Sequence, residues 1–309
     1  MPTYQSSGLD LHYVLRGADP APDTATLIFQ HGIGGDVRQP GRFLAQQGTS
    51  LLFERLNILH ADFRGHGRSP LGPEADLSLA TLAADMVALL DHLGIDRAIV
   101  GGISMGAAVA LRMAVEYPQR CSALILSRPA WTDGPMSAKA RAAYQLVARL
   151  LSAGDWQSSA TAALERSGIL QEMEAVCPDA ANSIRGQLQS VVNDPQSRES
   201  AVIRLRRLPY CRGLDDGLET LSAVQCPALI LAAAGDPIHP FGFARMLADH
   251  LPNCRLAQIA PKSPLDDTQH RVEVDRLIGQ FLEAVAFEPS LFLTGVTGAP
   301  QGSRAPECC

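Results

Sequence analysis

The chain has 309 residues, is 46% hydrophobic and carries a formal net charge of −6, which is enough apolar sequence for one large core or a core with a sizeable insertion. No basic run or aromatic–basic interleaving points to nucleic acid, and no stretch approaches the ~20 apolar residues of a membrane span. The polar opening, Met1 to Asp10, lacks the basic-then-apolar order of a signal peptide, so a cytoplasmic protein is expected.

Leu9, Leu11, Tyr13 and Leu15 alternate with other residues, which predicts a strand over Gly8 to Arg16, placed at the edge of an early hairpin. Thr26-Leu27-Ile28-Phe29 is a continuous run of the kind buried on both faces of a sheet. It ends in Gln30-His31-Gly32-Ile33-Gly34-Gly35-Asp36. Glycines at this density let backbone approach a ligand. The loop is either a ligand-binding turn or a glycine-rich turn without a ligand. Asn57 to Phe63 is the next strand, followed by Arg64-Gly65-His66-Gly67-Arg68-Ser69-Pro70, where His66 sits between two glycines and reads as structural. Ser78 then caps an amphipathic helix whose stripe is Leu79, Leu82, Ala83, Met86, Leu89, Leu90 and Leu93, closed by Gly94.

Ala98 to Gly101 is a further strand, and Gly102-Ile103-Ser104-Met105-Gly106 joins it to a helix that runs to about Tyr117, before Pro118. A serine hydroxyl is a weak nucleophile unless it is lifted clear and given a base. A tight strand-to-helix turn does the lifting, and glycines two residues to each side let the two backbones pass without a side-chain clash. The helix start behind Ser104 supplies unpaired N–H groups, that of Met105 first, to a developing oxyanion. The five-residue pattern alone is equally consistent with a simple cap, so its weight comes from context.

Ser122 to Leu126 continues the strand–helix alternation, which implies a parallel sheet with right-handed crossovers and active residues at the carboxyl ends of the strands. From Trp131 to Gly217 the alternation stops in favour of helical, Ala-, Arg- and Gln-rich sequence such as Ser137 to Leu151 and Asn182 to Val192. An inserted helical cap over the strand ends is expected. It resumes with the strand Pro227 to Leu231, the turn Ala234-Gly235-Asp236-Pro237-Ile238-His239-Pro240, a helix over Phe243 to Leu251 and a strand over Arg255 to Ile259. The loop Ala260 to Gln269 then leads to a last helix, Arg271 to Val285. Seven cysteines, odd in number, scattered and without a Cys-x-x-Cys pair, indicate neither a disulfide framework nor a metal site.

Together, His31-Gly32-Ile33-Gly34-Gly35, Asp62-Phe63-Arg64-Gly65-His66-Gly67-Arg68-Ser69, Gly102-Ile103-Ser104-Met105-Gly106 and Gly235-Asp236-Pro237-Ile238-His239-Pro240 resemble the α/β-hydrolase family in its capped form. They stand in the family's order and spacing, over about residues 4 to 286. The resemblance implies an α/β fold with a mostly parallel central sheet flanked by helices and an inserted helical cap. The core would be 1–130 and 218–286, the cap 131–217, and 287–309 a flexible tail. It also implies Ser104 as nucleophile, Asp236 as orienting acid, and the N–H groups of Ile33 and Met105 as oxyanion hole.

The sequence departs from the family at the base. The family's loop histidine falls, counting back from Phe281-Leu282, near Ser263 and Pro264, where there is none; Lys262 stands nearby and His270 is the next histidine. Three readings stay open: His270 as base, in the order Ser104, Asp236, His270; Lys262 as base, which requires burial to lower its pKa; or a broken triad. His239 is a further, lower-ranked candidate because the family has a non-catalytic residue at that place. The expected activity is hydrolysis of an ester or related carbonyl bond in a small, fairly apolar molecule, without cofactor or metal. The alternative is a non-hydrolytic or ligand-binding member of the fold. Oligomeric state is not legible in the sequence.

Overall fold

The computed structural model describes residues 1–17, 24–44, 55–193, 197–262 and 268–287. Eight strands among them form one sheet: β1 (Thr3–Ser6), β2 (Leu9–Arg16), β3 (Thr26–Gln30), β4 (Asn57–Ala61), β5 (Ala98–Ile103), β6 (Cys121–Ser127), β7 (Ala228–Ala232) and β8 (Cys254–Gln258). Their order is β1-β2-β4-β3-β5-β6-β7-β8. The β1–β2 and β2–β4 pairs are antiparallel and the others parallel. The expected edge strand, β2, is therefore one place in from the edge. The edge belongs to Thr3–Ser6, whose polar sequence shows no apolar pattern, joined to β2 by the left-handed pair Ser7 (φ 48°) and Gly8 (φ 78°) of a two-residue hairpin.

Every residue of β3, β4, β5 and β7 is buried, as continuous apolar runs require. Successive side chains feed opposite layers. Leu27, Phe29, Ile99 and Leu229 pack with Leu44 of α1 (Arg38–Leu44) and with Leu277, Ile278 and Phe281 of the last helix, Thr268–Ala286. Ile28, Val100, Leu124 and Ile230 pack against α2 (Leu79–His92) and α3 (Met105–Glu116). As expected, the Ser78 hydroxyl caps α2, accepting from the Thr81 N–H, and Gly94 ends it at φ 65°.

Among the described residues five α-helices are inserted between β6 and β7: α4 (Ala138–Ser152), α5 (Trp156–Glu165), α6 (Gly168–Val176), α7 (Pro178–Asn193) and α8 (Arg198–Arg207). α9 (Phe241–His250) and the last helix, α10, complete the core. This is the mostly parallel sheet with flanking helices and a helical cap that the sequence implied. The buried stripe of α4, Ala140, Ala143, Tyr144, Val147, Ala148 and Leu151, repeats at three- and four-residue steps. It is continuous with the core layer beneath α2 and α3. Of the expected tail, 287–309, residues 288–309 lie outside the described residues, as do 263–267. No described helix is long and apolar enough to cross a membrane.

Polar groups tie the strand-end loops together. Buried Arg64 donates from Nε and Nη2 to the two oxygens of Asp85 at 2.7 and 2.6 Å, and the Ser6 hydroxyl donates to the same carboxylate at 2.6 Å. His12 and Asp62 meet at 2.7 Å, while Asp62 also accepts from the Val37 and Arg68 N–H groups at 2.8 and 3.0 Å. Three further buried histidines, His31, His60 and His66, are neutral because burial disfavours the imidazolium; His60 is pushed down to about 4.

In the unfolded chain these histidines titrate near 6.5. Below that value the unfolded state binds the more protons, so stability is full above pH 6.5 and falls as pH drops. For His60 the loss ends near pH 4. Each buried imidazole adds a slope of up to ~1.4 kcal/mol per pH unit within its window. Urea midpoints measured from pH 7.5 to 4.5 are expected to fall, and His60→Gln, compared with itself across the same range, should show a shallower decline.

Candidate active site

Ser104 stands between β5 and α3 with φ 56° and ψ −105°, a left-handed backbone for a residue that carries a Cβ. What holds it is the absence of side chains around it. A Cβ on Gly102 would lie 2.5 Å from the carbonyl carbon of Gly106, and one on Gly106 would lie within 2.4 Å of the Gln30 carbonyl oxygen. β5, β3 and α3 therefore touch backbone to backbone. The Ser104 N–H donates to the Ser127 carbonyl at 2.9 Å, which anchors the turn to β6. The serine itself is 5% exposed.

The partners of Ser104 come from one loop, immediately after β7. Asp236 accepts, on Oδ1, the N–H groups of Ile238 (2.8 Å) and His239 (3.1 Å), folding the chain back over its own carboxylate. That turn brings the His239 ring to Asp236 Oδ2, where Nδ1–H donates at 2.7 Å. With the proton fixed on Nδ1, Nε2 carries the lone pair, and it accepts from the Ser104 hydroxyl at 3.0 Å. Although burial opposes ionisation of Asp236, the adjacent imidazole and the Arg128 guanidinium hold its carboxyl far below the usual range, so it is a carboxylate at neutral pH. The Ser137 hydroxyl, at the N-cap of α4, donates to the Pro237 carbonyl at 2.9 Å and ties this loop to the cap.

The glycine-rich loop after β3 lies beside the serine; a Cβ on Gly32 would stand 3.5 Å from Ser104 Cβ. Two glutamines fix it. The Gly32 N–H donates to Gln39 Oε1 at 2.8 Å, and Gln187 Nε2, from α7 in the cap, donates to the Ile33 carbonyl at 2.7 Å. Gly34, at φ 74°, makes room for Gln187, whose amide would collide with a Cβ there. Met105 heads α3, and the N–H groups of a helix's first turn have no acceptor within the helix.

The structure brings Ser104 and Asp236 together, but through His239. The His270 ring bonds backbone, its Nδ1 2.8 Å from the Ala260 carbonyl. Lys262 lies 3.7 Å from Asp179 of α7 with its side chain 44% exposed, so the burial that a lysine base requires is missing. The places where the family's loop histidine falls, Ser263 and Pro264, lie outside the described residues. His66 bonds the Arg64 carbonyl of its own loop at 3.1 Å, in keeping with a structural role. His239 was legible as the residue three places after an aspartate at a strand end, the distance across which an Asp-centred turn returns a side chain to the carboxylate.

The family pattern described as the alpha/beta hydrolase fold matches residues 25–262, and the chain belongs to that family. Among curated proteins it is 29% identical over 271 residues to "Putative carbamate hydrolase RutD" of Caulobacter sp. (strain K31), covering 83% of this chain and 90% of that one. It is 26% identical over 252 residues to 3-oxoadipate enol-lactonase 2 of Acinetobacter baylyi (strain ATCC 33305 / BD413 / ADP1), covering 81% and 84%. Of solved structures, the enol-lactonase from Burkholderia xenovorans LB400 shares the fold with a TM-score of 0.64 at 20% identity, covering 95% of this chain and 100% of that one.

Gly106 offers a test of the packing. In a helix, Gly→Ala ordinarily stabilises by up to ~1 kcal/mol. Here the added methyl meets backbone at 2.4 Å. Gly106→Ala is therefore expected to destabilise, by about 1–3 kcal/mol in urea unfolding, whereas Gly186→Ala, on α7 with nothing within 4 Å of its added Cβ, should not.

Proposed function

We propose that this chain is a serine hydrolase that cleaves an ester or related carbonyl bond of a small, largely apolar molecule through an acyl-enzyme on Ser104. The observation that carries this reading is the unbroken line from the Asp236 carboxylate through His239 to the Ser104 hydroxyl, at 2.7 and 3.0 Å. In the proposed reaction His239 Nε2 takes the serine proton as Oγ attacks the carbonyl carbon. Asp236 holds the tautomer and stabilises the imidazolium. The N–H groups of Ile33 and Met105 receive the oxyanion. The proton passes from His239 to the departing alkoxide. His239 then deprotonates a water that attacks the acyl carbon, and returns that proton to Ser104 Oγ as the acid is released.

The relatives named as a carbamate hydrolase and an enol-lactonase support carbonyl chemistry of this kind. A cytoplasmic setting belongs to the same proposal. The described cysteines, Cys121, Cys177, Cys211, Cys226 and Cys254, are unpaired thiols, which suits a reducing compartment.

Labelling by a fluorophosphonate probe tests the reading. Wild type should label, Ser104→Ala should not, and His239→Ala should label slower by roughly 10³-fold or more. His270→Ala and Lys262→Ala should label at rates within about twofold of wild type. If His270→Ala were the slow variant, the base would be His270. A folded wild type that does not label would end the hydrolase reading in favour of a ligand-binding member of the fold.

Gln187 gives a second test. Its bond to the Ile33 carbonyl fixes the peptide next to the proposed Ile33 donor, so its removal loosens that donor. Gln187→Ala is expected to lower kcat on a 4-nitrophenyl ester about tenfold with KM within about twofold. A fall confined to KM would assign Gln187 to substrate binding instead.

A further inference from the structure

Four arginines of the described chain are almost wholly buried or deeply seated, and three have a carboxylate. Arg64 holds Asp85, Arg112 holds Glu116 and Asp215, and Arg128 holds Asp179. The fourth, Arg204 of α8, is 5% exposed and lies within ion-pair distance of no carboxylate among the described residues. Its Nη1 donates to the Gly65 carbonyl, in the loop after β4, and its Nε is buried with no acceptor. A guanidinium offers five N–H donors and stays charged at any physiological pH. Burying it without a counter-charge costs several kcal/mol, which protein folds ordinarily avoid. Burial alone pulls Arg204 down to about 10, which still leaves it fully charged near neutrality.

Its place is the seam between cap and core, on the side of the glycine-rich loop. Next to Gly65, the ring of His66 packs against that of His31, centroids 4.9 Å apart, and His31 leads directly into Gly32 beside Ser104. The charge of Arg204 helps to hold both imidazoles neutral. His66 donates from Nδ1 to the Arg64 carbonyl, so its Nε2 is a lone pair, buried and without a donor. The polar atoms beside it, a backbone carbonyl and a neutral imidazole, supply no anion to balance the guanidinium.

We propose that Arg204 is a specificity residue that binds a carboxylate carried by the substrate, so that the preferred ester is an apolar acyl chain ending in an anion. A carboxylate matches the planar fork of the guanidinium and supplies the missing counter-charge. From Gly65 the contact of His66 with His31 leads to Gly32 beside Ser104, so a substrate held at Arg204 would reach the serine along that line of residues. This inference rests on the hydrolase reading for its substrate, but the anion site itself does not depend on turnover.

The test compares 4-nitrophenyl monoesters of succinic, glutaric and adipic acids with neutral 4-nitrophenyl esters of matched chain length. For wild type, kcat/KM for at least one anionic ester should exceed that for its neutral match by roughly 10- to 100-fold, the scale of a charge-assisted pair. Arg204→Met should collapse this ratio to near or below one, and Arg204→Lys should keep part of it. A wild type that prefers the neutral esters throughout overturns the proposal without any variant. So does a folded Arg204→Met that retains the wild-type ratio, which would leave Arg204 as a clamp on Gly65 only. If neither ester set is turned over, the hydrolase reading fails, and calorimetry with glutarate decides the site: binding by wild type that Arg204→Met loses supports it, and no binding by wild type removes it.

Discussion

The site depends on a backbone contact. At Gly101, Gly102 and Gly106 the chain carries no side chain where β5 meets its neighbours and α3, and a Cβ at any of the three would stand within 3 Å of another backbone atom. This closeness is what bends the chain through Ser104 into a left-handed conformation. The cost of that conformation, of order 1–3 kcal/mol, is offset by the packing of α3, buried over most of its length, against the sheet. Strain and closeness thus have one cause. The serine stands at the strand end because the helix behind it cannot move away.

The polar half of the site is built the opposite way, from contacts within a few residues. Asp236, Ile238 and His239 form a self-contained turn in which one carboxylate accepts two backbone N–H groups and one ring N–H. An imidazole and its carboxylate partner held in one turn keep their relative geometry whatever happens elsewhere in the chain. Only the approach to Ser104 is long-range, and it is set by β7 lying beside β6, which in turn lies beside β5.

That division explains what the sequence discloses. Buried parallel strands read as unbroken apolar runs, and the helices between them read by their stripes and caps, so the sheet, the cap insertion and the Ser104 turn were all legible. The edge strand Thr3–Ser6 was not, because its four residues, Thr-Tyr-Gln-Ser, are too few and too polar to show the alternation that their burial follows. The identity of the residue against Ser104 was obscured by family precedent, which draws attention to the loop after β8. The local signal, Asp236 with His239 three residues on, was present in the sequence. Gln187 and Arg204 had no such signal. Their partners, the carbonyls of Ile33 and Gly65, lie more than a hundred residues away and on backbone, which no side-chain pattern reports.

Among the described contacts that join cap to core, three from cap side chains each reach a different loop around Ser104: Ser137 the Asp236–His239 turn, Gln187 the glycine-rich loop and Arg204 the loop after β4. All three donate to backbone carbonyls, so they fix where the chain runs whatever side chains those loops carry. A cap attached only by apolar packing could slide at small cost, since burial is indifferent to direction. Hydrogen bonds with defined partners set its register over the strand ends. Two of them are satisfied locally by neutral amide or hydroxyl donors. The third places a full positive charge in the seam, and a neutral carbonyl does not balance it. The asymmetry among otherwise similar attachments is what separates Arg204 from a structural tie: a fold that needed only to hold its cap at Gly65 would be served as well by another glutamine.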